Sequence, residues 1–472
     1  MKVVFIKELQ SLIKDVRLFL FLAIVATVSI ISGIISSFQY ETIRSENDFL
    51  QQQYETKLRE RCGQSLHHTC IWLDHLAVQK TTNDLFIAGS ESINYPNYAE
   101  IDINNLYFGY PDVYYPKKSL STDISSLKFI RFDMSFLVEV IFSFLVLLLV
   151  YNVISREKES GTLRLVLANH IPRHEILLGK IAACTLVVAV TLAFGILIQL
   201  LVIIKLGKIP IDGAVLRKIP ILYVIFTLYL LFWVLLSALT SVITRRSTIS
   251  LTYLLILWVT LILIVPSFGK IIVSKAVGNL PSADELAIQY RMIEQEMFSQ
   301  GVGWRGGNVK ANARDNHEKE RKFAPVYQEY LEKLNRYQYR VAKQRVDHLK
   351  FLYDFGSLSP SFLFRRLSET LCGSGPPRQY RFLVSLQRYR RELMETFRKL
   401  DLKDAASFHL AFIQNYMSWK PINPDLLPRF KEMFPSNIRL ILENWWLIIL
   451  FLSEILIAFL ICHVTFLRFD PR

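Results

Sequence analysis

Six long apolar runs constrain this chain more than any other feature: Leu18–Phe38, Met134–Val153, Ile181–Ile204, Ile219–Ile243, Ile249–Phe268 and Trp445–Leu467. A bilayer core about 30 Å thick is crossed by roughly 20 apolar residues in helical form. Lipid offers nothing to an unpaired peptide group, so only helices or closed barrels span it. The runs therefore predict an all-α polytopic membrane protein with six transmembrane helices. Composition agrees, because 52% of the 472 residues are hydrophobic and only 20% are charged, too apolar for an ordinary soluble chain. The second run carries Glu139 and the sixth Glu454, while the other four hold no Asp, Glu, Lys or Arg. The apolar core of the first run is too long for a cleavable signal peptide, and no A-x-A-like site follows it.

Basic residues beside the spans set the expected orientation. Lys2, Lys7, Lys14 and Arg17 precede the first span, five Lys and Arg lie between the second and third, and Arg245 and Arg246 separate the fourth and fifth. These segments and the C-terminus are expected on the cytoplasmic side of a bacterial plasma (inner) membrane. Lys205, Lys208, Arg217 and Lys218 run against the rule, since they lie between the third and fourth spans. The predicted organisation is a cytoplasmic interfacial helix at 1–17, the first span at 18–38, an extracytoplasmic segment at 39–133 and spans two to five at 134–268. A large helical extracytoplasmic (periplasmic) domain follows at 269–444, then the sixth span and a cytoplasmic tail at 445–472.

The N-terminal stretch spaces Phe5, Ile6, Leu9, Leu12 and Ile13 as one helical face, with Lys7, Glu8, Ser11 and Lys14 on the other. This predicts an amphipathic helix lying on the membrane surface, in preference to a plain extension of the first span. Tyr54, Leu58 and Cys62 share a face, so helix is expected to continue outward. The stretch from Ile93 to Pro116, rich in Tyr, Asn and Pro, reads as loops with short strands and gives this smaller outer part a mixed character. In the large segment, Tyr327, Leu331, Leu334, Tyr337 and Val341 form one seam. Phe382, Leu386, Tyr389, Leu393, Phe397 and Leu400 form another, and both predict a helical bundle. "GVGWRGG" (301–307) and "GSGPP" (373–377) are expected to break the helices.

The segment 269–444 holds 29 Lys and Arg against 19 Asp and Glu, which is +10 of the chain's net +14. A basic excess outside the cell argues against nucleic acid and for anionic lipid headgroups, an acidic glycan or an acidic partner. A solvated surface with no specific ligand is the competing reading. Cys62, Cys70 and Cys372 are predicted outside, where oxidation is possible. Cys62 and Cys70 are near enough in sequence to pair, and Cys372 offers alternative pairings.

No G-x-x-x-x-G-K-[ST], H-E-x-x-H or G-x-S-x-G occurs, so no catalytic residue is predicted. "HHTCIWLDH" gathers His67, His68, Cys70 and His75, but its spacing matches no established site and no metal is expected. Glu139 and Glu454 are ionisable groups inside spans, which usually face a bundle interior or a cavity. Both are candidates for a translocation path. Glu139 reads equally as an interfacial carboxylate, and Glu454 as a packing group between subunits.

Between spans two and three lies "REKESGTLRLVLANHIPRHEILLGK" (156–180). Spacing predicts a helix extending from the second span, a short apolar helix in "GTLRLVL", a break at "ANHIP", and a return to the third span. Leu163, Leu165 and Leu167 cannot share one helical face, so at least one turns toward a partner or the bilayer. A short helix of this kind suits a partner's groove, although a plain connector remains open. The stretch resembles the signature of ABC-2-type permeases, the membrane subunits of ATP-driven exporters. Glu157, Glu159, Gly161, Thr162 and Leu163 match the acidic-x-acidic-x-Gly-Thr-Leu part. Pro172, Arg173, Glu175, Ile176, Gly179 and Lys180 match the Pro-Arg-x-Glu-Ile-x-x-Gly-Lys part. The insertion resembles the outer domain of one subgroup through Leu358–Arg390.

The resemblance implies that the loop 154–180 carries the coupling helix, with Arg156, Glu157, Glu159, Gly161, Thr162, Leu163, Leu165, Pro172, Arg173 and Glu175 as its contact residues. The implied function is the permease subunit of an exporter. The implied partners are an ABC-type ATPase in two copies, a second permease copy or paralogue to form a dimer, and membrane lipid, with no nucleic acid. ATP and Mg would be bound by the ATPase, leaving no cofactor in this chain. A non-transporting receptor or scaffold whose outer domain binds an envelope ligand is the alternative.

Overall fold

The computed structural model describes residues 1–89, 97–101, 103, 132–168, 171–265, 281–300, 313–357, 359–409, 416–433 and 437–469. Within them every apolar run is helical, and six helices are long and apolar enough to cross a membrane. Helix α1 (Lys2–Ile13) is followed by α2 (Val16–Gln64) of 49 residues, about 74 Å at 1.5 Å per residue. Its start is capped by Asp15, which accepts from the Arg17 amide at 2.9 Å, and it runs unbroken to Gln64, with Ser65 as its C-terminal cap. Two short helices follow, α3 (Leu66–Ile71) and α4 (Leu85–Ala88). The antiparallel pair β1 (His75–Val78) and β2 (Tyr98–Ile101) sets His75 opposite Ile101.

The second span opens at α5 (Met134–Phe136), passes through a π-helical segment at Leu137–Phe142, and continues as α6 (Ser143–Val150). The loop after it folds into α7 (Ser155–Glu159) and α8 (Thr162–Ala168). Spans three and four are α9 (Arg173–Leu206) and α10 (Gly213–Ile243). Span five is α11 (Ser247–Val259) with a second π-helical segment at Thr260–Ile264. Beyond it come α12 (Ala283–Ser299), α13 (Ala313–Gly356), α14 (Pro360–Cys372), α15 (Gly375–Leu402) and α16 (Asn437–Glu443), then the sixth span, α17 (Trp445–Arg468).

Two hydrophobic cores organise these elements. The spans form one, around Phe142, Tyr229, Trp233 and Phe451. The second lies at the end of the bundle away from the chain termini, here the far end. It joins Tyr54, Leu58 and Cys62 of α2 to Tyr327, Leu331 and Leu334 of α13 and to Phe382, Leu386, Leu393 and Phe397 of α15. Most of both predicted seams is buried there, with Tyr337 and Leu400 half-buried against it and Val341 buried outside it. The two large segments, read from sequence as a smaller and a larger unit, share this one core. Backbone bonds stitch them: Leu66 N–H to Lys420 O at 2.9 Å, His67 N–H to Ser418 O at 3.0 Å and Ile422 N–H to Cys62 O at 3.0 Å. Arg429 adds a forked contact with Glu55 at 2.7 and 3.1 Å.

Helix α14 departs from the expected division. It belongs to the insertion by sequence, yet Leu363, Phe364, Leu367, Leu371 and Cys372 pack in the core of the spans. Gly373, at φ +67°, and Gly375, at φ +72°, end it and turn the chain into α15, as the "GSGPP" reading requires. Most of the Tyr-Asn-Pro stretch and all of "GVGWRGG" lie outside the described residues.

The basic loop that opposes the orientation rule has a local explanation. Lys218 pairs with Asp84 in a buried contact, and Lys208 pairs with Glu41 while lying 3.5 Å from the centre of the Phe38 ring. Two of its four cations are thus held by carboxylates at the same end of the bundle.

Candidate functional site at the loop between spans two and three

The short helix α7 and the turn before it are fastened to spans three, four and five by polar contacts. Ser241 of span four accepts from the amides of Ile154 and Ser155 at 2.9 and 2.7 Å. Lys158 donates to the carbonyls of Val242 and Thr244, the latter at 3.0 Å. Glu159 accepts from the Ser247 amide at 2.7 Å and its hydroxyl at 2.9 Å, capping the start of span five. Lys180, whose side chain is 4% exposed, bonds Glu157 and Glu8 at 2.9 Å each and the Val153 carbonyl at 3.1 Å. A buried ammonium needs such a full set of acceptors to stay charged. Beside it lies a polar cavity of about 170 Å³ lined by Asp15, Arg17, Asn152 and Arg156 among others.

Glu8 corrects the reading of α1. Spacing put it on the solvated face with Lys7 and Lys14, but it turns inward to Lys180, while Ile6 and Ile13 stay exposed. Val4 makes the same helix contact span three closely, since a Cβ on Gly179 would lie 3.1 Å from the Val4 Cβ.

The remaining loop residues divide by exposure. Leu163 is 2% exposed and Leu165 70%, which resolves the leucine problem posed by the sequence. Arg156, Thr162 and Pro172 are exposed. Gly161 has φ +70° with nothing within 4 Å of a Cβ, so it turns α7 into α8 in the left-handed region that glycine tolerates. Arg173 donates to the carbonyls of Leu467 and Phe469 at 3.0 and 2.9 Å, fastening the start of span three to the end of span six. Glu175 faces the amino group of Met1. Asn169 and His170 lie outside the described residues.

At the far end, Glu139 is 1% exposed and meets Arg365 of α14 in a two-point contact at 2.8 and 2.7 Å. An interfacial carboxylate was one expectation; burial against an arginine is what the structure places there. Arg365 had no role in the sequence reading. Its signal was an intramembrane carboxylate in need of a cation, and an arginine set among "PSFLFRR". Glu454 is half-buried in span six, and its Oε2 has no hydrogen-bond partner among the described residues. Cys62 and Cys70 are buried in the far-end core and no disulfide joins them; Cys372 lies in the other core. Among the described residues no group of three or more His, Cys, Asp or Glu is placed to hold a metal ion.

Six apolar helices, and a loop between two of them tied to spans four, five and six by polar contacts, define a multi-pass helical membrane protein. A family model described as "ABC-2 family transporter protein" matches residues 2–470. The chain therefore belongs to the ABC-2 family of transporter proteins, and it is a membrane component of an ABC transporter system. A search of curated proteins returned no match.

Proposed function

We propose that this chain is the permease subunit of an ATP-binding-cassette exporter, driven by a separate ATPase that docks on Arg156–Lys180. The observation that carries the reading is the pair Leu163 and Leu165. One leucine anchors α8 in the protein, while the other is 70% exposed on a helix whose flanks are tied down. An exposed apolar side chain on a braced helix suits a groove in a partner. The basic flanks of spans one, two and four favour the cytoplasm for this face, where ATP is available.

Two permease copies and two ATPase copies make the complete transporter in this reading. The ATPase binds ATP and Mg and supplies the chemical energy. Residues of this chain only receive and distribute the motion. Glu159 passes it to span five through Ser247, Lys158 to the end of span four, Lys180 to span three and α1, and Arg173 to span six. Glu139 and Glu454 border the path between the spans. The basic segment 269–444 favours an acidic or lipid-linked substrate.

The test is Leu165→Asp, with Leu402→Asp in the far-end body as a surface control. Leu402 is 66% exposed. Co-purification with the cognate ATPase and the stimulated ATPase rate are measured. Loss of both in Leu165→Asp alone supports docking at α8, and unchanged values refute it.

A further inference from the structure

We infer that α14 is the gate at the far end of the transport path, latched to span two by Glu139 and Arg365. The inference rests on the transporter reading above. The helix leaves the far-end body and enters the core of the spans, where Leu363 and Phe364 are fully buried and Leu367 is 1% exposed. It grips both π-helical segments at once. Glu139 sits in the first, at Leu137–Phe142, and takes the two-point contact from Arg365. In the second, at Thr260–Ile264, the Leu261 carbonyl accepts from Ser359 at 2.9 Å and Ser361 at 3.0 Å. Between them, Phe364 stacks on Tyr229 of span four at 4.2 Å and 18°, and the Tyr229 hydroxyl donates to the Glu139 carbonyl at 3.0 Å.

Three physical points turn this seat into a gate. π-Helical turns concentrate at functional sites and leave carbonyls to be served from outside the helix, as Ser359 and Ser361 serve Leu261. A buried Arg–Glu pair adds little stability over apolar residues of the same volume, but it fixes one register among several, as a latch must. Span two also runs from Glu139 to the docking loop. The 17 residues from Glu139 to Arg156 cover about 26 Å if helical, so a push on α7 and α8 reaches the latch through one element. On the other side, Arg366 bonds Asp354 at 2.7 Å and Ser357 at 2.9 Å, joining α14 to the end of α13 and thus to the far-end body.

Cys372, on α14 and 1% exposed, is a built-in reporter. The permease–ATPase complex in nanodiscs is treated with a membrane-impermeant maleimide, and labelling is mapped by peptide mass. Measurements are made without nucleotide and with the ATPase trapped by ATP and vanadate. The gate predicts at least fivefold faster labelling of Cys372 in the trapped state, with Cys62 unchanged. Arg365→Gln or Glu139→Gln should raise Cys372 labelling without nucleotide, and the exchange Glu139→Arg with Arg365→Glu should restore protection. The double variant Glu139→Gln with Arg365→Gln, its fold verified by thermal unfolding, keeps the test open should the single variants fail to fold. Equal protection of Cys372 in both nucleotide states of a complex that hydrolyses ATP, or protection kept in the folded neutral double variant, overturns the gate. Failure of any ATPase to bind overturns the docking reading instead, and the nucleotide-free comparisons still decide the latch.

Discussion

Lys180 and Glu157 meet at 2.9 Å, and Glu8 closes on the same ammonium from the other side at 2.9 Å. Three pieces of chain distant in sequence therefore converge on one buried charge. The first helix, the loop between spans two and three, and span three cannot move independently while that charge is satisfied.

Replacing Lys180 with Met leaves two carboxylates facing each other with no counter-ion. Removing one partner of a buried ion pair costs about 3–5 kcal/mol, and the residual exposure of Glu8 and Glu157 places the loss at about 2–3 kcal/mol here. Thermal unfolding in detergent should fall accordingly. Adding Glu8→Gln and Glu157→Gln should recover most of the stability but not the stimulated ATPase rate. Recovery of both would deny Lys180 any part in transmission.

Gly161 at φ +70° has open space around it, so substitution there tests the backbone alone. Gly161→Ala should strain the turn by about 1 kcal/mol, and Gly161→Asn by less, because Asn adopts left-handed geometry more readily. The measured order of ATPase stimulation should be Gly, then Asn, then Ala. An alanine variant equal to wild type would remove the turn from the coupling path.

Spans one and three touch through glycine. A Cβ on Gly195 would lie 2.9 Å from Val25 Cγ1, and one on Gly33 would lie 3.0 Å from Val202 Cβ, whereas Gly63 has nothing within 4 Å. Gly195→Val and Gly33→Val should each destabilise the bundle by about 1–3 kcal/mol through overpacking. Gly63→Ala should be neutral or slightly stabilising. Unfolding temperatures of the purified protein decide this.

The far-end body should weaken in mild acid. His75 is fully buried, with the Tyr54 hydroxyl 3.1 Å from its Nδ1, and burial lowers its pKa from 6.5 to about 3. Above 6.5 the imidazole is neutral in both states and the full stability is present. Below 6.5 the unfolded chain takes a proton that the native protein refuses. Stability then falls by about 1.4 kcal/mol per pH unit until the pH nears the native value. His67, lowered to about 4 by burial, acts in the same direction. Asp404, held down to about 2 by Lys420 and Ser418, loses its contribution only below its usual 3.8, outside this window. Unfolding between pH 7.5 and 5.5 should show the decline, and His75→Phe should flatten it.

The spans were legible because an unbroken apolar run of roughly 20 residues crosses lipid as a helix, whereas barrel strands are shorter and alternate. Both far-end seams were legible because steps of three and four residues have one solution in a helix. What escaped the sequence were contacts between residues far apart in the chain. Glu8 broke the amphipathic pattern of α1 only because Lys180, 172 positions away, required an acceptor. The seat of α14 among the spans had no periodic sign, since Arg365 and Arg366 made it read as part of an aqueous domain. Leu163, Leu165 and Leu167 were recognised as three residues that cannot share one face, but that Leu163 turns inward and Leu165 outward was set by packing between distant parts of the chain.

The most direct test of the account is cross-linking at position 165. A photoreactive side chain at Leu165 should join this chain to the ATPase subunit in membranes, while one at the buried Leu163 should not. Position 165 should lose the product when ATPase docking is competed by excess soluble ATPase subunit. Cross-links from 165 only to lipid or to other parts of the chain, in membranes where the ATPase is present, would contradict the account.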